Sequence, residues 1–148
     1  MRAIRAMPKG SWSRAPLDTV TLDHDTRSRR RLALVSDHGT SFLLDLPDAV
    51  RLHDGDGLLL ENDAVIEVRA LAEPLLTIRA RDPVHLARLA WHIGNRHVAL
   101  QVDGGRLLIR PDHVIAEMLR QLGAVVEETT AAFEPERGAY HGHSHASH

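Results

Sequence analysis

Three observations predict an α+β protein built as a small β domain followed by a mixed helix–strand domain. Short strand-like runs fill the first half of the chain, parted by turn clusters of Gly, Asp and Asn. Two stretches with apolar residues at helical spacing occur only in the second half, interleaved with further strands. A break in pattern at Leu71-Ala72-Glu73-Pro74 separates the two regimes and reads as a hinge. The 148 residues suffice for one ordinary domain or two small ones.

In the first half, residues 19–22 alternate apolar and polar, and 32–35 lead through the turn Asp37-His38-Gly39 into a partner strand at 41–46. Pro47-Asp48 breaks that strand. His53-Asp54-Gly55-Asp56-Gly57 is a second turn, 58–60 a strand, 61–63 a third turn and 64–70 a last strand. The Asp54–Gly57 cluster lacks the later ligands and terminal Glu of a calcium loop, so it reads as a plain tight turn. The arginines at 27, 29, 30 and 31 read as a solvated strand edge, protected against edge-to-edge pairing.

In the second half, 75–80 is a strand and Asp82-Pro83 starts a helix, Asp as N-cap and Pro at the first helical position. Val84, Leu86, Ala87, Ala90 and Ile93 recur at helical spacing, and Gly94 is placed to stop the helix. A strand at 97–102 turns through Asp103-Gly104-Gly105 into 106–109. A second helix starts at Pro111-Asp112, with Val114, Ile115, Met118, Leu119 and Leu122 as its apolar face and Gly123 as its stop; 124–129 is the last strand. The order β-α-β-β-α-β is that of a ferredoxin-like domain, two helices on one face of a four-stranded antiparallel sheet. The expected boundaries are therefore 1–71 for the β domain, 72–134 for the ferredoxin-like domain, and 135–148 for a disordered, His-rich tail.

Composition narrows the chemistry. Hydrophobic residues make up 43% of the chain, but there are only two Phe, two Trp and one Tyr, so aliphatic side chains must fill the core. A formal net charge of −2 gives no basic field for nucleic acid or an anionic membrane. No apolar run approaches a membrane span or a signal peptide's core, which points to a cytoplasmic protein. The absence of cysteine removes disulfides, thiolate nucleophiles and CxxC metal sites, so any metal must be held by nitrogen and oxygen. No HExxH, nucleophile elbow or phosphate loop is present, so no enzyme is expected.

The unusual component is histidine, eleven residues in all. His141, His143, His145 and His148 are separated by small residues rather than consecutive as in a purification tag, and such a segment can wrap around an ion. Ordering it costs roughly 1–2 kcal/mol per residue fixed, so its affinity should be modest, which suits capture and hand-off. His92 and His97 flank the expected helix stop, Gly94. Five residues apart is a poor spacing for shared ligation on one helix face. On spacing alone they are an ordinary surface histidine and a turn histidine, and two imidazoles are too few for a closed site unless a two-fold axis doubles them. His113, in the first turn of the second helix, is a weaker candidate; His24, His38, His53 and His85 show no mutual pattern and are placed in turns or on exposed faces. Affinity alone cannot name the metal, because Cu(II) binds nitrogen sites more tightly than Ni(II) or Zn(II). A competing class is a protein-interaction and dimerisation module whose tail only buffers or stores divalent metal.

His92-Ile93-Gly94-Asn95-Arg96-His97 followed by Val98-Ala99-Leu100-Gln101 resembles the H-x-G-N-R-H-x-x-x-Q signature of the urease accessory nickel chaperone family, UreE. Asp112-His113-Val114-Ile115 with Met118-Leu119 and Leu122-Gly123 is similar to that family's second signature helix, and Leu52 to Asp56 and the His-rich end also fit. The resemblance implies a homodimer in which His97 of both copies binds Ni(II), with His113 as a secondary metal-binding residue and His92 as a recurrent histidine. Some members carry a second histidine where this chain has Pro111. The implied role is delivery of Ni(II) to apo-urease together with the urease accessory GTPase and the rest of the activation complex.

Overall fold

A computed structural model describes residues 1–137. The chain divides into two compact units, the first ending at Leu71 and the second starting at Ala72.

The first unit contains strands β1 (Arg2–Met7), β2 (Asp18–Leu22), β3 (Arg31–Val35), β4 (Ser41–Asp45), β5 (Gly57–Leu60) and β6 (Val65–Ala70), and one short helix, α1 (His24–Arg27). They form a mixed sheet in the order β2-β6-β5-β1-β4-β3, with β1 parallel to β4, β2 parallel to β6 and the other neighbours antiparallel. Alternation decides the buried face: Phe42 and Leu44 of β4 point inward between exposed or half-exposed neighbours, and meet Val20, Leu58, Ile66 and Val68. The expected hairpin of β3 and β4 is present, with Leu32 opposite Leu44 and Val35 opposite Ser41.

Two elements here were not foreseen. β1 lies in the middle of the sheet, between β4 and β5, yet its only fully buried side chain is Ala3, too small to give a strand signal. α1 is a single turn capped by Asp23, whose carboxylate accepts from the Thr26 N–H. It carries Arg27 into the interior, fully buried, where its Nη1 donates to the Leu52 carbonyl at 3.2 Å. Arg27 is therefore not part of a solvated edge; Arg31, on edge strand β3, is. The Asp54–Gly57 turn spends its carboxylates on backbone: Asp56 accepts from Lys9 N and His53 N, and Asp54 from Ala70 N.

The second unit runs β7 (Ala72–Arg79), α2 (Pro83–Gly94), β8 (Gln101–Asp103), β9 (Arg106–Ile109), α3 (His113–Gln121) and β10 (Val125–Ala132). All neighbouring strands are antiparallel, in the order β10-β7-β9-β8, the split βαβ arrangement. Asp82 and Asp112 cap the two helices as expected, accepting from His85 N at 2.7 Å and Ile115 N at 3.0 Å. One sheet face carries Ile78, Leu107 and Ile109 against Leu89 and Ile93 of α2 and Leu119 of α3, whereas Val84, Ala87 and Val114, expected on the apolar faces, are exposed on the sides of the helices turned away from that core. The opposite face carries Leu75 and Leu108 against Phe133.

The boundaries moved in three places. Residues 72–74 are not a free hinge but the start of β7, paired as far as Ala72 with Ala132. β8 is only three residues long and begins at Gln101, so 97–100 lie outside it. The folded part also continues past residue 134: Phe133 and Pro135 are buried and Glu136 donates its N–H to the Leu100 carbonyl at 2.7 Å. From residue 138 on, the expected tail lies outside the described residues. Among the described residues no helix is long and apolar enough to cross a membrane.

Candidate metal-binding site

Ile93, fully buried, anchors the end of α2 in the core. Gly94 was expected to stop the helix in the left-handed conformation, but it remains helical and a Cβ there would meet nothing. The left-handed residue is His97, with φ 58°. Three backbone bonds carry the chain round to it: Asn95 N to Trp91 O, Arg96 N to Ile93 O, and His97 N to Gly94 O, at 2.9, 3.1 and 3.0 Å. The Arg96 guanidinium adds a fourth restraint, donating to the His92 carbonyl at 3.1 Å and so covering an orphan acceptor at the helix end. Val98 and Leu100 then return to the same apolar core. His97 is thus an exposed imidazole at the apex of a short loop pinned on both sides. A β-carbon in this backbone region costs roughly 1–2 kcal/mol, an outlay that surrounding bonds must hold in place.

His92 is half-buried, and its ring stands edge-on to Trp91, centroids 5.0 Å apart at 85°. Trp91 is itself 64% exposed, and Val84, seven residues earlier on the same helix face, 61%. His113 occupies the first position of α3, exposed, beside a cleft it lines with Asp112, Arg120 and Glu128. Among the described residues no three His, Asp or Glu side chains gather so as to hold a metal ion, so His92, His97 and His113 do not form a common site within one protomer. His141, His143, His145 and His148 lie outside the described residues. Near the end of the described residues, Glu134 N donates to the Gln101 side-chain oxygen at 2.9 Å, next to the Glu136–Leu100 bond. Trp91, Arg96 and Gln101 were not singled out from the residues. Their only signal was membership of, or adjacency to, the H-x-G-N-R-H-x-x-x-Q block.

His85 corrects another expectation. It is 4% exposed, not on an outer face. Its Nδ1 accepts from Arg81 N at 3.0 Å and its Nε2 lies 2.8 Å from the Leu122 carbonyl, which can only accept, so the proton sits on Nε2. Both ring nitrogens are engaged, Nδ1 with the backbone just before α2 and Nε2 in joining α2 to the end of α3, leaving none for a metal. His38 is tied to Asp18, 2.8 Å from Nδ1 to the carboxylate. That contact raises the His38 pKa, while hydrogen bonds from Ser36 and His38 hold the Asp18 carboxyl well below the usual carboxylate range.

Known proteins similar to the chain give a consistent result. The family model of the UreE urease accessory protein N-terminal domain matches residues 2–71, and that of its C-terminal domain residues 73–148. The urease accessory protein UreE of Chelativorans sp. (strain BNC1) is 58% identical over 131 residues, covering 88% of this chain and 83% of that protein. UreE of Bradyrhizobium sp. (strain ORS 278) is 53% identical, over 99% of this chain and 70% of its own length. UreE of Rhizobium meliloti (strain 1021) is 48% identical, over 99% and 96%.

Proposed function

The chain belongs to the UreE urease accessory protein family, whose members are accessory proteins and not enzymes, and we propose that it is a cytoplasmic metallochaperone carrying Ni(II) to apo-urease during urease maturation. The observation that carries this reading is the exposed, left-handed His97 at the end of α2. A side chain displayed at some energetic cost, with its loop pinned by Arg96 and by buried Ile93, is what a preorganised ligand needs.

One imidazole does not make a site. A homodimer with its two-fold axis near His97 supplies two, because a residue on such an axis faces its own copy. Exposed Trp91 and Val84 on the same helix supply an apolar face for a second copy to cover. The remaining positions go to histidines of the C-terminal segment, with His92 and His113 as accessory ligands. At no more than ~3.6 Å per residue, positions 141–148 can come back from Glu136 to the His97 loop. Imidazoles of that segment that exchange at the His97 pair would let nickel pass on to the urease accessory GTPase and urease without release as a free ion. The same nitrogen donors accept Cu(II) and Zn(II), so family membership rather than affinity names the cargo.

Nickel titration calorimetry on the wild type, on His97→Ala and on a chain ending at Gly138 tests this. His97→Ala is expected to abolish the tightest site per dimer, and truncation to lower the stoichiometry. Unchanged tight binding in His97→Ala would overturn the interface site. A buffering module is the second reading, favoured by the lack of any three-ligand group among the described residues of one protomer. It predicts that urease activation at limiting nickel is restored by chelator-controlled nickel alone, whereas a chaperone requires the protein.

A further inference from the structure

Gly94 is a glycine for which the protomer gives no reason. It is the last residue of α2, helical, and its φ is not positive. A Cβ built on it would meet nothing among the described residues. Glycine is less stable in a helix than alanine, because it gives up more freedom on folding. Among the described glycines only Gly105 is equally unconstrained, and it lies in the β8–β9 turn rather than in a helix. The helix face around Gly94 is also particular. Val84, Ala87, Trp91 and Gly94 are all exposed, and at about 3.6 residues per turn they fall within roughly a quarter of the circumference. This stripe carries no charge, and it includes the 64% exposed Trp91. It runs directly into the ligand loop, where His97 N donates to Gly94 O at 3.0 Å.

We propose that Gly94 is a specificity-determining residue of the metal site: by carrying no side chain it lets the same stripe of a second copy come close enough for the two His97 imidazoles to share one ion. This rests on the reading that His97 of two copies binds nickel. The occupant of the stripe is a second copy because the protomer's own site is incomplete, with no three His, Asp or Glu side chains gathered among the described residues. A two-fold contact supplies the missing imidazole. An uncharged stripe also suits its own copy, whereas a charged one would meet like charge across the axis. Distances make the glycine matter. Imidazole ligates nickel as it does zinc, and at a metal–nitrogen distance of about 2.0–2.1 Å two such nitrogens on one ion are at most about 4 Å apart. A methyl group on each Gly94 adds one carbon–carbon bond of about 1.5 Å per copy, or about 3 Å across the axis. Because the Gly94 carbonyl holds the His97 N–H, the two ligand loops move apart with the helices. The ion is then out of reach of one imidazole, although neither has been altered.

Gly94→Ala and Gly94→Gln test this in the full chain, beside Gly105→Ala, the same change at the other open glycine. The probes are nickel(II) titration calorimetry, sedimentation equilibrium of the nickel-loaded protein, and amide hydrogen exchange at Leu89 and Ile93. Gly94→Ala should raise the Kd of the tight nickel site by about tenfold and Gly94→Gln by more, both shifting the loaded protein towards the monomer. Exchange at Leu89 and Ile93 should stay as slow as in the wild type, because alanine and glutamine are better helix formers than glycine. Gly105→Ala should change the Kd by less than about twofold. Unchanged nickel affinity in Gly94→Ala would overturn the proposal. So would an equal loss in Gly105→Ala, a loss of affinity with the dimer intact, or faster exchange at Ile93, which would mean that the fold itself needs the glycine. His97→Ala separates the two possible failures. If it spares the tight site, the interface reading has failed. If it abolishes the site while Gly94→Ala binds as the wild type does, the role of Gly94 alone has failed.

Discussion

His97 is the single side chain with most at stake, and its backbone is as informative as its ring. At φ 58° a residue with a Cβ is strained, and glycine is not. His97→Ala and His97→Gly both remove the imidazole, so both should lose the tight nickel site, but their stabilities should differ. The glycine variant is expected to be the more stable by about 1 kcal/mol, the strain relieved less the extra entropy of an unfolded glycine. Thermal unfolding of the metal-free proteins measures the difference, and an alanine variant as stable as the glycine one would show that the loop is unstrained. The sequence made His97 a candidate ligand but put the left-handed position at Gly94, the residue that tolerates it best. The structure carries the chain a further turn because the Arg96 guanidinium and the Ile93 and Gly94 carbonyls have partners only if Gly94 stays helical. A bond between a side chain and a carbonyl four residues earlier leaves no trace in hydrophobic periodicity.

Among the elements, the pair α2 and α3 was the most legible, since each announces itself with an Asp cap and a run of apolar residues at helical spacing. The β-α-β-β-α-β order followed from that. What joins the two helices was not legible. His85 sits one position from the half-buried Leu86 and shows nothing in sequence that separates it from a surface histidine, yet it bridges Arg81 N and the Leu122 carbonyl from a buried position. Its loss opens a hole in the core and leaves the Arg81 N–H and the Leu122 carbonyl, partners in part-buried bonds, without it. His85→Ala should therefore destabilise the protein by about 2–3 kcal/mol, measured by urea unfolding, and leave the stoichiometry of nickel binding unchanged. A loss of nickel sites without a loss of stability would contradict the assignment of His85 as a structural bridge. β1 escaped notice for a related reason. Its neighbours, β4 and β5, lie some 40 to 55 residues away in sequence, and a strand whose buried contribution is one alanine is held by pairing rather than by its own propensity. Local pattern finds elements that carry their own signal and passes over those that borrow it from partners.

For the molecule as a whole, pH acts with opposite sign on its two units. Metal capture needs neutral imidazole, so nickel binding to a histidine site should weaken in acid. In the first unit, His38 is hydrogen-bonded to the Asp18 carboxylate, which raises the His38 pKa. A histidine whose pKa is higher in the folded than in the unfolded protein contributes stability that is fully present below about 6.5 and is lost as pH rises through the raised value. Asp18, whose pKa is lowered by hydrogen bonds from Ser36 and His38, contributes stability that is present above the ordinary carboxylate range and lost only in stronger acid. Between pH 6 and pH 8 the histidine alone sets the sign, and the bond it makes to Asp18 should matter less at the upper end. Each unit carries one tryptophan, Trp12 in the first and Trp91 in the second. In a Trp91→Phe background the fluorescence of Trp12 therefore reports the first unit by itself. The difference in urea midpoint between this protein and its His38→Ala derivative should shrink from pH 6 to pH 8, while nickel affinity of the unmutated chain rises over the same interval. His38 is largely exposed, so the shift will be small but of fixed direction. A difference that stayed constant or grew with pH would show that the His38–Asp18 contact does not hold the turn as an ion pair. Its exposed imidazole would then titrate as it does in the unfolded chain.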